Sequence, residues 1–253
     1  MTQGRVAYFT DCHLGQRPVM EPDPDGGRMR YDHAPDEHGG RLRRVLDDIA
    51  RRGVTSVVFG GDIGSRASVG SFFRRLKEHS LTPSIVLGNH DVLDDVTSYW
   101  CPATSAVDRR MCYSRPDGQW QSIFLDTSDN TVGEAQLAWL AGQLDRAPKV
   151  ALFMHHPVLA IDTPVERAGA ALRDRHKLAS LLMTAGCEVV VFCGHYHMVD
   201  DTREANIRQL MSPAVSYQLV KEADRVQLDS STFGYRLIDL SGDEITTEVV
   251  LFP

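Results

Sequence analysis

Six short runs of β-branched and aromatic residues punctuate the chain up to residue 194. They are VAYF (6–9), VTSVVFG (54–60), PSIVLG (83–88), QSIFLD (121–126), KVALFM (149–154) and EVVVFCG (188–194). They are apolar along their length rather than alternating, so they suit strands of a sheet covered on both faces. Amphipathic stripes lie between them. Leu42, Val45, Leu46 and Ile49 form one, and Val69, Phe72, Phe73 and Leu76 a second. Leu137, Leu140, Ala141 and Leu144 form a third, and Leu178, Leu181 and Leu182 a fourth. Spacings of three and four place each set on one helix face, as core packing requires. Beyond residue 200 the stretches IRQLMSPAVSYQLV and TFGYRLIDLSGDEITTEVVLF predict short strands and hairpins, with a turn at SGD (241–243). The expectation is an α/β chain that becomes mostly β at its end. With 253 residues, 42% of them hydrophobic, it can build one sizeable core. It therefore reads as a single domain over 1–253, with two packed sheets and helices outside them. Residues 15–38, rich in Pro, Asp and Gly, predict a long loop, and 157–175 a second long connection.

The bulk properties exclude several roles. A net charge of −7 argues against non-specific binding to nucleic acid or to an anionic membrane. No apolar run approaches the ~20 residues of a membrane helix. The start, MTQGRVAYFTD, has no basic region followed by a signal-type apolar segment. A cytoplasmic protein with a small-molecule partner is the expectation, as a monomer or a homo-oligomer. The five cysteines are scattered without a C-x-x-C, which speaks against a disulfide framework or a thiolate zinc site. Cys187 and Cys193 read as buried thiols, and Cys101 and Cys112 are the one pair considered for a bridge. Neither a P-loop nor a G-x-G-x-x-G fingerprint occurs, so nucleotide binding by those routes is not expected.

What ends the strands carries the chemistry. VAYFT runs into Asp11-Cys12-His13, VVFGG into Asp62, and SIVLG into Asn89-His90-Asp91. VALFM runs into His155-His156-Pro157, and VVVFCG into His195-Tyr196-His197. In open α/β sheets ligands bind at these C-terminal strand ends. In extended chain, residues i and i+2 point the same way, so Asp11 with His13, and His195 with His197, could each grip one ion. Carboxylate, amide and imidazole donors without a thiolate suit Mn, Fe, Zn or Co. Seven ligands are too many for one catalytic metal and about right for two with a bridging carboxylate. Two divalent ions against two Asp charges leave a positive site that would attract a phosphate ester and acidify a bridging water. Any one of these short motifs is usually a cap or a turn. Five in order, each at a strand end, have no such explanation.

The order D-x-H, G-D, G-N-H-D, H-x-P, G-H-x-H resembles the calcineurin-like metallophosphoesterase superfamily over residues 5–198. The resemblance implies a four-layer αββα sandwich: two central mixed sheets flanked by helices, with a dinuclear metal site at the strand C-terminal ends. It implies that Asp11, His13 and His197 hold one metal, that Asn89, His155 and His195 hold the other, and that Asp62 bridges. His90 would sit over the site, contact the substrate phosphate and protonate the leaving oxygen, with Asp91 orienting it. His156 would be structural. The stretches IFLDTSDNTVGEAQLAWLAGQL and FGYRLIDLSGDEITTEVVLF are similar to the bacterial class III cyclic nucleotide phosphodiesterases. That resemblance implies hydrolysis of a cyclic nucleotide such as cyclic AMP through a metal-bridging hydroxide, with manganese or iron as the expected metals. A glycerophosphodiesterase, a phosphomonoesterase and a non-catalytic metal-binding scaffold are the competing readings. Loop segments 14–38, 157–175 and 199–220 are the expected seat of specificity. His33 and His38 read as solvated loop histidines.

Overall fold

The computed structural model describes residues 4–21, 28–102 and 107–253, with the side chain of Arg28 excepted. Strand β1 (Arg5–Phe9) leads into a hairpin, β2 (Gln16–Glu21) and β3 (Arg28–His33), and then helix α1 (Gly39–Arg51). Next come β4 (Ser56–Phe59), α2 (Val69–Glu78), β5 (Thr82–Ile85) and a short α3 (Leu93–Thr97). A second series follows: β6 (Tyr113–Asp117), β7 (Trp120–Phe124), α4 (Glu134–Leu144), β8 (Lys149–Phe153), α5 (Arg175–Thr184) and β9 (Glu188–Cys193). The rest is strand: β10 (Asp200–Glu204), β11 (Ile207–Met211), β12 (Gln218–Leu219), β13 (Leu228–Asp229), β14 (Phe233–Asp239) and β15 (Thr246–Phe252).

Two mixed sheets result, one ordered β15-β14-β1-β4-β5 and the other β10-β11-β9-β8-β7-β6. Alternation along each strand decides which layer it meets. On β1, Tyr8 faces the opposite sheet, with its ring 6.0 Å from Phe153 and 6.2 Å from Phe192. Phe9 faces the other way and packs with Phe59 and with Phe72 of α2. On the second sheet Phe124, Phe153 and Phe192 stack into the space between the sheets. Ile123, Leu152 and Val191 point outward onto Leu137, Leu140 and Leu144 of α4 and Leu178 and Leu182 of α5. The layers are therefore helix, sheet, sheet, helix, as expected. All six apolar runs are strands, and all four stripes lie on helices. Phe73, Ala141 and Leu181 fall at the margins of their stripes and are half-buried.

One expectation is corrected, and two further features are added. The 15–38 stretch is not one irregular loop: β2 and β3 pair antiparallel within it, from Gln16↔His33 to Glu21↔Arg28. Its 22–27 part lies outside the described residues. Tyr113–Asp117, with a proline in it, forms an edge strand, where a missing N–H is tolerated. Cys101 and Cys112 do not pair. All five cysteines are free thiols, Cys101 exposed and the others buried. No helix among the described residues is long and apolar enough to cross a membrane.

Candidate metal centre

The loops leaving β1, β4, β5, β8 and β9 converge at one end of the two sheets. The first two zip together through their backbones: Asp11 N donates to Gly61 O (2.9 Å), Cys12 N to Asp62 O (2.9 Å) and Leu14 N to Ile63 O (2.8 Å). Asp11, His13, Asp62, His195 and His197 have φ of 55°, 42°, 63°, 68° and 49°. These are left-handed conformations that cost a non-glycine residue roughly 1 kcal/mol each. Five of the eleven such residues among those described thus sit in one place. Clustered backbone strain of this kind marks functional sites. It also overturns the extended-chain pairing of His195 with His197. Neither residue is extended, Tyr196 N donates to Gly194 O (2.8 Å), and the two rings fall in different ligand groups, whereas Asp11 and His13, also left-handed, share one. Asp11, His13 and His197 form one group, and Asp62, His155 and His195 another. His13 and Asp62 also group with His90, so Asp62 touches two of the three sets.

Each carboxylate has one oxygen held by the shorter hydrogen bonds and the other turned to the histidines, although Asp11 Oδ1 also takes a longer bond from His195 N (3.3 Å). Asp11 Oδ2 accepts from Thr10 Oγ1 (2.7 Å) and His195 N (3.1 Å), while Oδ1 faces His197 Nε2 at 3.2 Å. Asp62 Oδ1 accepts from His90 N (2.9 Å), while Oδ2 faces His155 Nε2 (3.4 Å) and His13 Nε2 (3.5 Å). Glycines make these approaches feasible. A Cβ on Gly88 would lie 2.2 Å from Asp62 Oδ1, and one on Gly194 2.3 Å from Asp11 Oδ2.

The imidazoles are fixed from outside. His155 Nδ1 donates to Gly60 O (2.9 Å), His197 Nδ1 to Tyr217 O (2.9 Å) and His195 Nε2 to Ala170 O (3.0 Å). His13 Nδ1 meets Gln16 Oε1 at 3.1 Å. A nitrogen facing an oxygen acceptor carries the proton, so each neutral ring turns a lone pair inward. Those inward nitrogens face each other, His13 Nε2 to His197 Nε2 and His195 Nδ1 to His155 Nε2, both at 3.2 Å. Burial disfavours the Asp11 and Asp62 carboxylates, but the surrounding histidines outweigh it and hold both below the usual range. Burial holds His13 and His195 down at about 3. It also opposes charge on His155, yet Asp62 and Asp11 overcome it and raise that ring to about 9. Opposed imidazole nitrogens beside two buried anions form a nest for cations, and the raised His155 is the same attraction acting on a proton. The donor set, imidazole and carboxylate without thiolate, fits two divalent ions of the Mn, Fe, Zn or Co type.

Two expected residues sit differently. Asn89 occupies the turn closed by Asp91 N donating to Gly88 O (3.1 Å), and it is exposed. No contact of its side chain with the cluster is seen among the described residues. Asp91 does not bond to the His90 ring. Its carboxylate accepts three backbone N–H bonds, from Asp62 (2.7 Å), Gly88 (2.9 Å) and Ile63 (2.9 Å). Burial, then the charge of Asp62, pushes its carboxyl up to about 7 against those bonds. The His90 ring is half-buried and edge-on to His13, with centroids 4.9 Å apart. His156 is buried, its Nδ1 2.8 Å from Thr127 Oγ1. His33 is exposed, whereas His38 is half-buried with its ring 6.0 Å from Tyr217.

The calcineurin-like phosphoesterase family profile matches residues 4–199. The chain belongs to that family. A calcineurin-like phosphoesterase hydrolyses phosphoesters. It is 27% identical over 250 residues to a protein of Fibrobacter succinogenes named a probable cyclic nucleotide phosphodiesterase, covering 97% of this chain and 93% of that one. A glycerophosphodiester phosphodiesterase of Enterobacter lignolyticus is 32% identical over 152 residues, covering 53% and 52%. A solved dimetal phosphatase from Danio rerio shares the fold at a TM-score of 0.71 and 15% identity, covering 98% of this chain and 96% of that one.

Sequence reasoning missed the outer layer of this calcineurin-like site. Gln16, Tyr217 and the carbonyls of Gly60 and Ala170 fix the rings, and Tyr31 stacks on His13 at 4.8 Å and 10°. Carbonyl acceptors leave no mark in a sequence. Tyr31 did leave one, in the alternation of RMRYDH (28–33).

Proposed function

We propose that this protein is a dinuclear phosphodiesterase acting on cyclic nucleotides such as cyclic AMP. The observation that carries the hydrolytic reading is the pair of buried carboxylates, each with an oxygen turned toward opposed imidazole nitrogens. Asp11, His13 and His197 would hold one ion, His155 and His195 would form the core of the set for the other, and Asp62 would serve both. Two bound cations supply Lewis acidity toward the phosphoryl oxygens and toward an attacking water. Asn89 would have to turn inward to join the second set. Hydrolysis adds a water oxygen to phosphorus, breaks one P–O ester bond and leaves a proton on the departing oxygen. His90, half-buried over His13 and Asp62, is placed to give that proton and to face the phosphoryl charge. Asp91 pins the backbone of Asp62 and Gly88, and so sets where Asp62 stands.

The diester and cyclic nucleotide preference is supported by the full-length likeness to the Fibrobacter relative. The Enterobacter relative favours a second reading, a glycerophosphodiester substrate. Five free thiols suit the reducing cytoplasm, where we place the protein. The test is a side-by-side rate assay on metal-analysed, manganese-loaded protein. It compares 3′,5′-cyclic AMP, 2′,3′-cyclic AMP, a glycerophosphodiester, bis-p-nitrophenyl phosphate and p-nitrophenyl phosphate. A lead of about a hundredfold, ~2.7 kcal/mol in the barrier, for one cyclic nucleotide supports the proposal. The same lead for the glycerophosphodiester replaces it with the second reading.

A further inference from the structure

The hairpin β2–β3 has two chemically different faces. Arg17, Arg30 and Asp32 face outward and pair with one another's neighbours: Arg17 with Glu37, and Arg30 with Glu21 and Asp32. The alternate positions pair across the strands as Gln16↔His33, Pro18↔Tyr31 and Met20↔Met29, and all of them but the exposed His33 face inward. Gln16 reaches His13. Met20, Met29 and Tyr31 pack half-buried against an apolar cluster that includes Tyr217 and Leu219, and Ala170 joins it from the 157–175 connection. Tyr31 is locked in place by a 2.6 Å hydrogen bond between its hydroxyl and that of Tyr217, which also lies 3.6 Å from Met29 Sδ. Its ring lies flat on His13 and stands perpendicular to His90, with centroids 4.8 Å apart in each case. The phosphoester centre thus has, on one side, a rigid aromatic and thioether wall whose side chains remain partly open to solvent.

We propose that this wall, Tyr31 with Met29 and Met20, is the subsite for the planar base of the substrate, an inference that rests on the cyclic nucleotide reading above. A wall of this chemistry discriminates. The π-face of a base stacks on an aromatic ring whatever its edge carries, and a polarisable thioether packs beside it. A glycerol or other polyol substituent finds there few acceptors for its hydroxyls, the phenol oxygens of Tyr31 and Tyr217 being already engaged with each other, and loses hydrogen bonds it made to water. Tyr31 is rigid before substrate arrives, so little ordering opposes stacking. Specificity for the organic part of the ester therefore comes from the hairpin, while the strand-end cluster serves any phosphoester.

The test compares kcat/KM for 3′,5′-cyclic AMP with that for its base-free analogue, 1-O-methylribose 3′,5′-cyclic phosphate, in the metal-loaded full chain. Both esters use the same metal centre, so their ratio within one variant cancels general damage. The wild type should prefer the nucleotide, and Tyr31→Leu should shrink that preference by about tenfold or more, mostly through KM. Tyr31→Phe, which keeps the ring, should retain the preference. Met29→Ala should shrink it less, in the same direction, and supplies the reading if Tyr31→Leu does not fold. Equal losses on both esters in Tyr31→Leu and Met29→Ala would make the wall merely structural and overturn the inference, while leaving the phosphodiesterase reading intact. A wild type that cleaves a glycerophosphodiester but neither cyclic phosphate would overturn both, through the substrate reading.

Discussion

Asp91 offers the sharpest test of how this centre is held. Its two carboxylate oxygens accept three buried backbone N–H groups: Oδ2 takes those of Asp62 and Gly88, and Oδ1 that of Ile63. Removing the carboxylate as Asp91→Ala leaves all three donors without a partner. At about 1–3 kcal/mol for each buried donor so stranded, the loss is at least ~3 kcal/mol, a large part of a typical domain's stability of ~5–15 kcal/mol. In Asp91→Asn, an amide oxygen at the Oδ2 position keeps the bonds from Asp62 and Gly88 and turns its NH2 against the N–H of Ile63. One donor is then stranded, at about 1–3 kcal/mol. Thermal unfolding of metal-loaded protein should therefore rank wild type above Asn above Ala. Each kcal/mol should appear as about 2–4 °C in a chain of this size. Metal content should fall in the same order, because Asp62 rides on the backbone that Asp91 pins. Activity should fall on activated and unactivated esters alike. The sequence-based expectation that Asp91 orients His90 predicts something else: normal stability and metal content, with the loss confined to esters whose leaving group needs a proton. An Asp91→Ala protein that melts within a degree of wild type and keeps both metals would refute the three-bond account.

Other outcomes follow from the same geometry. Gly194→Ala places a methyl 2.3 Å from Asp11 Oδ2 and 2.4 Å from Thr10 Oγ1, so elemental analysis should show one metal lost first, with stability less affected than activity. His90→Ala should keep both metals and lower kcat by about 10²–10⁴-fold, more on alkyl than on nitrophenyl esters. Unchanged kcat would remove His90 from the chemistry. Chelation should lower the melting temperature, because a ligand at a hundred times its Kd contributes about 2.7 kcal/mol; calorimetry with and without metal reads this directly. Away from the site, burial opposes ionisation of Asp48, but the Tyr235 hydroxyl (2.6 Å) and Arg52 (2.9 Å) more than compensate and depress its pKa. Its contribution is present above the unfolded value of about 4 and lost as pH falls through the lower folded value. Asp48→Asn should therefore destabilise at pH 7 and progressively less toward pH 3, as urea titrations would show.

The inner layers of this molecule were legible because burial on both faces leaves strands no polar residues to spend. When Asp11, Asp62 or His155 interrupts such a run, the interruption itself is the signal. Phe9 to Asp11 and Phe153 to His155 show how few residues separate core from chemistry. The hairpin was obscured by the Pro, Asp and Gly of residues 21–27, although RMRYDH already alternated with the period of a strand exposed on one face. The pairing of ligands was not legible, and the reason is conformational. The period-two argument assumes extended backbone, which neither pair has: Asp11 and His13 still share a ligand group, while His195 and His197 do not. Nothing in HYH announces that difference. Only the surroundings fix it: the His195 N–H is taken by Asp11, and the His197 Nδ1–H by the carbonyl of Tyr217, a residue twenty positions on.

The same consideration explains why Asp91 was misread. In GNHD the acid stands next to His90, and adjacency suggests that one orients the other. The β-turn from Gly88 to Asp91 instead folds the carboxylate back onto the strand end it came from and onto Asp62, twenty-nine positions earlier. A motif records which residues a site needs within a few positions of chain. It does not record which of them touch, because a turn of four residues suffices to exchange a near neighbour for a distant one. Here that exchange converts a supposed partner of His90 into the brace of the Asp62 backbone. For this reason metal content, rather than activity alone, separates the two roles.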